Sequence, residues 1–261
     1  MRAVGKAIAF DDHKDEDTFP LFPFGPIVFY YKLPKKMVGS LNNYAEKIIK
    51  DKAKSKELDH SQSLVGKLKQ EFLIEPTELN KHTDTITQVV ANYMQTDLSR
   101  HSKTFPEDHM LDVGINTAWI VRQYSGEYNP AHIHTHCDMS CVGYLKLPSD
   151  IDKEWEEDYK DHHPCNGHIE FLHGQPGNLL RHTYLVKPSV GDFFLFPSEL
   201  THMVYPFKSD GERRSFSMNI TVTSLPKNKA FNPVRKYATN DLTQEWHTKP
   251  RSKIFKDTKD K

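Results

Sequence analysis

Between Arg213 and Thr223 the chain alternates without interruption. Ser215, Ser217, Asn219, Thr221 and Thr223 occupy one face of an extended segment, and Phe216, Met218, Ile220 and Val222 occupy the other. Such a segment is a strand with one polar and one apolar side. Two consecutive arginines enter it, Arg213 by parity in the polar row and Arg214 in the apolar row. If the polar row lines a cavity, Arg213 is the arginine inside it.

The same period of two returns from about residue 111 onward, in 116–124, 139–145, 168–172, 183–186 and 192–196. Six short strands separated by Gly, Pro and Asp turns predict a mainly β fold with flanking helices, a double-sheet jelly roll. Upstream, 24–31 looks like a strand entered through a proline-rich turn, and Met37, Leu41, Tyr44 and Ile48 then repeat at helical spacing. The segment 51–70 is charged and pattern-poor. Ile86, Val89, Val90, Tyr93 and Met94 mark a second amphipathic helix, with Pro76 and Thr77 placed to start it. These helices are expected to cover one sheet face. The expected organisation is an N-terminal strand with covering helices over 1–110, a jelly-roll core over 111–224, and a charged tail over 225–261 with at most one helix around 240–247.

At 261 residues the chain suits one domain with extensions. Lys+Arg and Asp+Glu balance at 35 each, so charge gives no reason to propose a nucleic-acid or anionic-membrane partner. No apolar run approaches the roughly 18 residues needed to cross a bilayer, and residues 1–10 run straight into an acidic stretch unlike a signal peptide. Cys137, Cys141 and Cys165 are odd in number and clustered, which argues against a disulfide framework and points to a reducing cytoplasm.

The chemistry-bearing stretch is His132-Ile-His134-Thr-His136-Cys-Asp138, answered downstream by Phe196-Pro-Ser-Glu-Leu-Thr-His202. Imidazoles two apart on a strand point the same way, so His132 and His134 can grip one divalent ion while His202 supplies a third nitrogen. Three ligands on one side leave the other side open. Two other registers stand beside this one. His136-Cys-Asp138 is a literal His-x-Asp that would restore a carboxylate ligand, and His132, His134, Asp138 and His202 together have cupin-like spacing.

These residues resemble the iron(II)- and 2-oxoglutarate-dependent oxygenases, specifically the 2OG-Fe(II) oxygenase family found in bacteria and tailed phages, over roughly residues 112–222. The lead-in Tyr124-Ser-Gly-Glu-Tyr-Asn-Pro-Ala-His132-Ile-His134 follows the superfamily's course into His-x-Asp, with histidine at the Asp position. Ser140 to Leu145, Gly167 to Phe171 and Pro188 to His202 match further strands of the family, with Phe196-Pro-Ser and His202 the most telling. Eleven residues beyond His202, Arg213-Arg-Ser215 is similar to the Arg-x-Ser pair that holds the far carboxylate of 2-oxoglutarate. A guanidinium fork and a hydroxyl on the same strand face suit that role.

The resemblance implies Fe(II) as cofactor, held by His132, His134 and His202, and 2-oxoglutarate as co-substrate, held by Arg213 and Ser215. It also implies a reaction with O2 that hydroxylates a primary substrate and releases succinate and CO2. Phe193, Phe194, Leu195, Phe196 and Tyr144 are candidates for the pocket walls or the core behind them, whereas Trp119 and Tyr124 read as core. A cupin-like metalloprotein that ignores 2-oxoglutarate and a non-catalytic jelly-roll interaction module stand as alternatives. The primary substrate is not identified by the sequence. The resemblance of the lead-in to prolyl hydroxylases favours a peptide or prolyl substrate, and the acidic, aromatic segment 148–166 is read as overhanging the site or as a solvated insertion.

Overall fold

A computed structural model describes residues 25–63, 66–101, 103–156 and 165–226. In chain order it contains β1 (Phe29–Lys32), α1 (Lys35–Lys50), α2 (Lys52–Glu57), β2 (Gln70–Leu73), α3 (Pro76–Leu79), α4 (Thr83–Arg100), β3 (His109–Gln123) and β4 (Asn129–His132). It continues with β5 (Met139–Lys146), α5 (Ile151–Glu156), β6 (Ile169–Leu172), β7 (Thr183–Val186), β8 (Asp192–Pro197), β9 (Thr201–Val204) and β10 (Arg213–Pro226). The strands form a six-stranded antiparallel sheet, order β1-β8-β5-β10-β3-β2, and a four-stranded one, order β4-β9-β6-β7. This is the expected jelly roll. Both edges of the larger sheet come from the N-terminal segment, since β1 pairs with β8 and β2 with β3.

Alternation along β10 divides the apolar mass in two. Phe216, Met218, Ile220 and Val222 join Met37, Leu41 and Ile48 of α1 and Ile86, Val89, Val90 and Tyr93 of α4 in the larger cluster, so the helices cover the outer sheet face. Phe216 packs directly over Gly143, where a side chain would not fit. Between the sheets lies a smaller cluster of Val142, Tyr144, Ile169, Phe171, Phe194, Phe196 and Leu200. Strand β8 therefore splits by parity, with Phe193 and Leu195 facing the helices and Phe194 and Phe196 facing inward.

Three local expectations change. Segment 51–70 holds α2, capped by Asp51, whose carboxylate accepts from the Ala53 and Lys54 amides, and it ends at the start of β2. Pro76 starts only the single turn α3. A 3-10 turn over Asn80–His82 intervenes before α4, with the Thr83 hydroxyl donating to the Asn80 carbonyl, a local bond that competes with continuous helix. The periodic pattern also missed β4 and β9, each four residues long. The helix expected at 240–247 and most of the 148–166 segment's tip lie outside the described residues.

Arg214 shows what the helix-facing row demands. It is buried, donates to Glu212 from Nε at 3.0 Å and Nη2 at 2.8 Å, and reaches Glu46 at 2.8 Å and Asn42 at 3.1 Å on α1. Glu212 also accepts from Arg122 at 2.8 Å. Its carboxyl is held below the usual range by these two guanidiniums, although burial opposes the shift. Glu212→Ala removes the acid shared by Arg122 and Arg214, leaving the buried Arg214 only Glu46, and is expected to destabilise the protein by about 3 kcal/mol, measured by chemical denaturation.

Candidate functional site

The histidines converge because β4 and β9 are paired. His132 lies directly opposite His202 in the ladder, and His134 follows two residues later on the chain leaving β4. Ring centroids are 4.3 Å apart for His132 and His202, 5.2 Å for His134 and His202, and 5.3 Å for His132 and His134. One ligand nitrogen from each lies within 4.8 Å of the other two. His132 Nδ1 faces the Pro130 carbonyl at 2.7 Å and His202 Nδ1 faces the Leu200 carbonyl at 2.9 Å. A carbonyl only accepts, so each Nδ1 carries the proton and each Nε2 keeps its lone pair for a metal. Burial, with the neighbouring imidazoles adding to it, pulls the pKa of His134 down to about 4 and of His202 to about 3; burial also lowers that of His132. All three are therefore neutral imidazoles at pH 7.

Ser198, just past β8, ties this loop together. Its carbonyl accepts from the His134 amide at 2.9 Å, its amide donates to the Asp138 carbonyl at 3.0 Å, and its hydroxyl donates to the Cys137 carbonyl at 2.7 Å. Phe196 and Phe171 wedge the His202 ring at centroid distances of 4.8 and 6.1 Å. Asp138 is not part of the cluster. Its carboxylate accepts from the Val222 amide at 2.8 Å, so its oxygen serves β10 rather than a metal. His136, at φ 60°, makes the turn, and its carbonyl accepts from Asn116 at 2.9 Å. The metal-capable cluster among the described residues contains neither.

Arg213 enters from the larger sheet. It is 2 % exposed, donates from Nη1 to the Gly167 carbonyl at 3.0 Å and from Nη2 to the Tyr144 hydroxyl at 3.1 Å, and stacks on the Tyr144 ring. Its Nε has no partner, and no carboxylate among the described residues pairs with it. Burial consequently lowers its pKa, with Tyr144 resisting. Ser215 is buried two residues on and sits opposite Tyr144 across β5. The ladder shifts register beside Arg214 against β5 and between Asn219 and Ile220 against β3, and in both places the extra residue, Leu145 or Asn116, lies on the partner strand, so β10 keeps its own alternation.

Three participants escaped the sequence reading. Trp119 is buried, in keeping with its reading as core, yet it joins neither apolar cluster and its ring packs on His134 at 5.7 Å; Tyr124, by contrast, has its hydroxyl taken by Arg122. Parity alone separates Trp119 from its core neighbours Ala118 and Ile120, and that signal was available. The Tyr144 hydroxyl, already a wall candidate, proves to be an anchor for Arg213. Glu71 lies opposite Val121 on the inward face of β2, 6 % exposed, in a segment with no readable pattern.

Residues 117–219 match the family model described as "Putative 2OG-Fe(II) oxygenase". They belong to the 2OG-Fe(II) oxygenases. No curated protein matches the sequence. Among solved structures the chain is similar to a prolyl-4-hydroxylase from Pseudomonas putida, at 16 % identity over 74 % of this chain and 91 % of that one, TM-score 0.47. It is also similar to AviO1 from Streptomyces viridochromogenes, at 14 % identity over 76 % and 89 %, TM-score 0.47. A viral collagen prolyl hydroxylase from Paramecium bursaria Chlorella virus-1 aligns at 13 % identity over 74 % and 94 %, TM-score 0.41. A 2OG-Fe(II) oxygenase uses Fe(II), 2-oxoglutarate and O2, and the residues present fit these groups. Three neutral imidazoles, two of them with Nδ1 tied to a carbonyl and Nε2 left for a metal, suit a divalent ion, and a buried guanidinium with an orphaned Nε suits a carboxylate. No helix among the described residues is long and apolar enough to cross a membrane.

Glu71 gives this oxygenase a measurable pH signature. Burial alone raises its carboxyl pKa to about 7. The folded state thus holds the proton more tightly than the unfolded chain, so the contribution to stability is full below the unfolded value of about 4.5 and is lost as pH rises through about 7. Relative to Glu71→Gln, the wild type is expected to lose about 3 kcal/mol between pH 4.5 and pH 8 in urea titrations.

Proposed function

We propose that this oxygenase hydroxylates a peptide substrate, with His132, His134 and His202 holding Fe(II) and with Arg213, Tyr144 and Ser215 receiving the far carboxylate of 2-oxoglutarate. The observation that carries the reading is Arg213, a buried guanidinium with no carboxylate partner and an unfilled Nε, inside the same barrel as the three imidazoles. A charge buried this way is expensive unless a ligand supplies its counter-ion. Arg214, one residue away, has Glu212 and Glu46 and needs none.

Fe(II) held by these histidines would supply, with O2, the oxidising power for hydroxylation, with 2-oxoglutarate converted to succinate and CO2. The chain's own contribution is placement and exclusion of water. Pro130 and Leu200 carbonyls fix the tautomers of His132 and His202, and Ser198 holds the loop that carries His134. Tyr144 positions the guanidinium, while Ser215 offers a hydroxyl from the same strand face. Phe171, Phe194, Phe196 and Leu200 keep the interior dry, which strengthens each charge interaction made there. A peptide substrate is supported by the Tyr124-Ser-Gly-Glu-Tyr128 lead-in. The three cysteines, odd in number and clustered, support a cytoplasmic setting.

Adding 2-oxoglutarate to the anaerobic Fe(II) protein is expected to produce a weak visible charge-transfer band, and admitting O2 to yield succinate. His202→Ala should abolish the band and Asp138→Asn should keep it; a band lost only in the Asp138 variant would reverse the ligand assignment. Arg213→Met should weaken 2-oxoglutarate binding roughly 100-fold while leaving ligand-free stability unchanged or higher, because an unpaired buried charge has been removed. Titration followed by the same band, with a parallel denaturant curve, checks both halves.

A further inference from the structure

We infer that Glu71 is a specificity-determining residue, and that the primary substrate brings it a cationic nitrogen, an ammonium or guanidinium of lysyl or arginyl chemistry. This rests on the oxygenase reading of the adjoining site. Seven carboxylates are buried among the described residues, and six are engaged. Glu78 accepts from Ser40 and Lys81, Asp112 from Thr223, Glu154 from the amides of Lys208 and Ser209, Glu170 from Tyr205, Asp192 from Lys32, and Glu212 from two arginines. Glu71 alone has no hydrogen-bond or ion-pair partner for its carboxyl, and only burial acts on it.

Its position ties it to the site. Across the larger sheet Glu71 faces Val121, Val121 faces Ser215, and Ser215 faces Tyr144. Side chains in one such row share a face, so Glu71 and Ser215 look into the same interior, two strands or about 10 Å apart. One pair further along β3, on that face, Trp119 packs between His134 at 5.7 Å and His60 at 6.3 Å, and the His60 amide donates to the Glu71 carbonyl. The wall therefore runs from a proposed metal ligand to the strand that bears Glu71. Reciprocal bonds between the Lys67 and Tyr128 backbones, 3.0 and 2.9 Å, tie the approach to β2 onto the approach to β4, with Gly66 at φ 113° pressed against Tyr128 and Pro130. The interior is thus polarised, with an unpaired cation at Arg213 and an unpaired acid at Glu71. An anionic co-substrate suits the first, and a cation suits the second. A neutral donor would be served by glutamine without the desolvation of a carboxylate.

The test uses Mn(II)-substituted protein with 2-oxoglutarate, titrated with n-butylammonium, n-butylguanidinium and neutral n-butanol. Probe-proton NMR relaxation reports both affinity and nearness to the ion. Both cations are expected to saturate and to relax paramagnetically, and Glu71→Gln should weaken them roughly tenfold or more while leaving butanol unchanged. Cation affinity in Glu71→Gln within twofold of wild type, or no saturable cation binding by wild type, overturns the inference. Should the variant fail to fold, the 13C-labelled wild-type carboxyl decides: the cation must lower the Glu71 titration midpoint, and an unmoved midpoint overturns it. Loss of the Fe(II)-dependent 2-oxoglutarate band in wild type would sink the oxygenase reading instead, and is read separately.

Discussion

Two adjacent arginines on β10 must point in opposite directions, and the site depends on this. Strand geometry leaves no choice, since consecutive side chains leave opposite faces. Arg214 goes to the helices and is neutralised by Glu212 and Glu46; Arg213 goes between the sheets and is not neutralised. A slip of one residue would exchange them, bury the serines among the helix contacts and turn Phe216, Met218 and Ile220 into the cavity. The Arg214 ion cluster, together with Phe216 over Gly143, makes that slip costly, so the helix side of the sheet guards the register on which the inner side relies.

The metal-capable cluster rests on a different kind of constraint. His132 and His202 are cross-strand partners, so their Cβ atoms are brought close by the ladder itself, and each ring is turned by the carbonyl two residues earlier. His134 lies beyond the ladder and needs Ser198 and Trp119 to hold it. Where the wider superfamily places a carboxylate, this chain offers a third neutral imidazole. With the proposed three-histidine set the protein would contribute no charge to a bound divalent ion, and a dianionic co-substrate would balance that ion alone. The proposed Arg213 carboxylate interaction would then be uncancelled by a nearby acidic ligand.

Much of this was legible in the sequence because it is periodic or motif-like. The alternation from Ser215 to Val222 fixed which arginine faces inward, and Met37, Leu41, Tyr44 and Ile48 marked α1, all now buried. Strands β4 and β9 were not legible as strands, being four residues long and holding Pro130, His132 and His202 in place of an apolar row. The role of Asp138 was undecidable from spacing, because its acceptor function for Val222 depends on a backbone amide 84 residues away. Glu71 was hidden for a similar reason. Nothing in Gln70-Glu-Phe-Leu73 distinguishes a solvated acid from a buried one until β3 is laid beside it.

Unpaired charges in a dry interior also shape the energetics of the whole barrel. Arg213 and Glu71 each oppose folding, because desolvation is not offset by a partner in the chain. A molecule that supplies the missing counter-charge binds the native state and not the unfolded one, so it stabilises the fold by mass action. The two charges are of opposite sign and one strand, β3, lies between the strands that carry them, so they are too far apart to neutralise one another directly and close enough for one polarised interior. Replacing both by apolar residues of similar volume would give a sturdier barrel with no means of telling an anionic ligand from a cationic one. Specificity and reserve stability therefore draw on the same two residues, and a gain in one is a loss in the other.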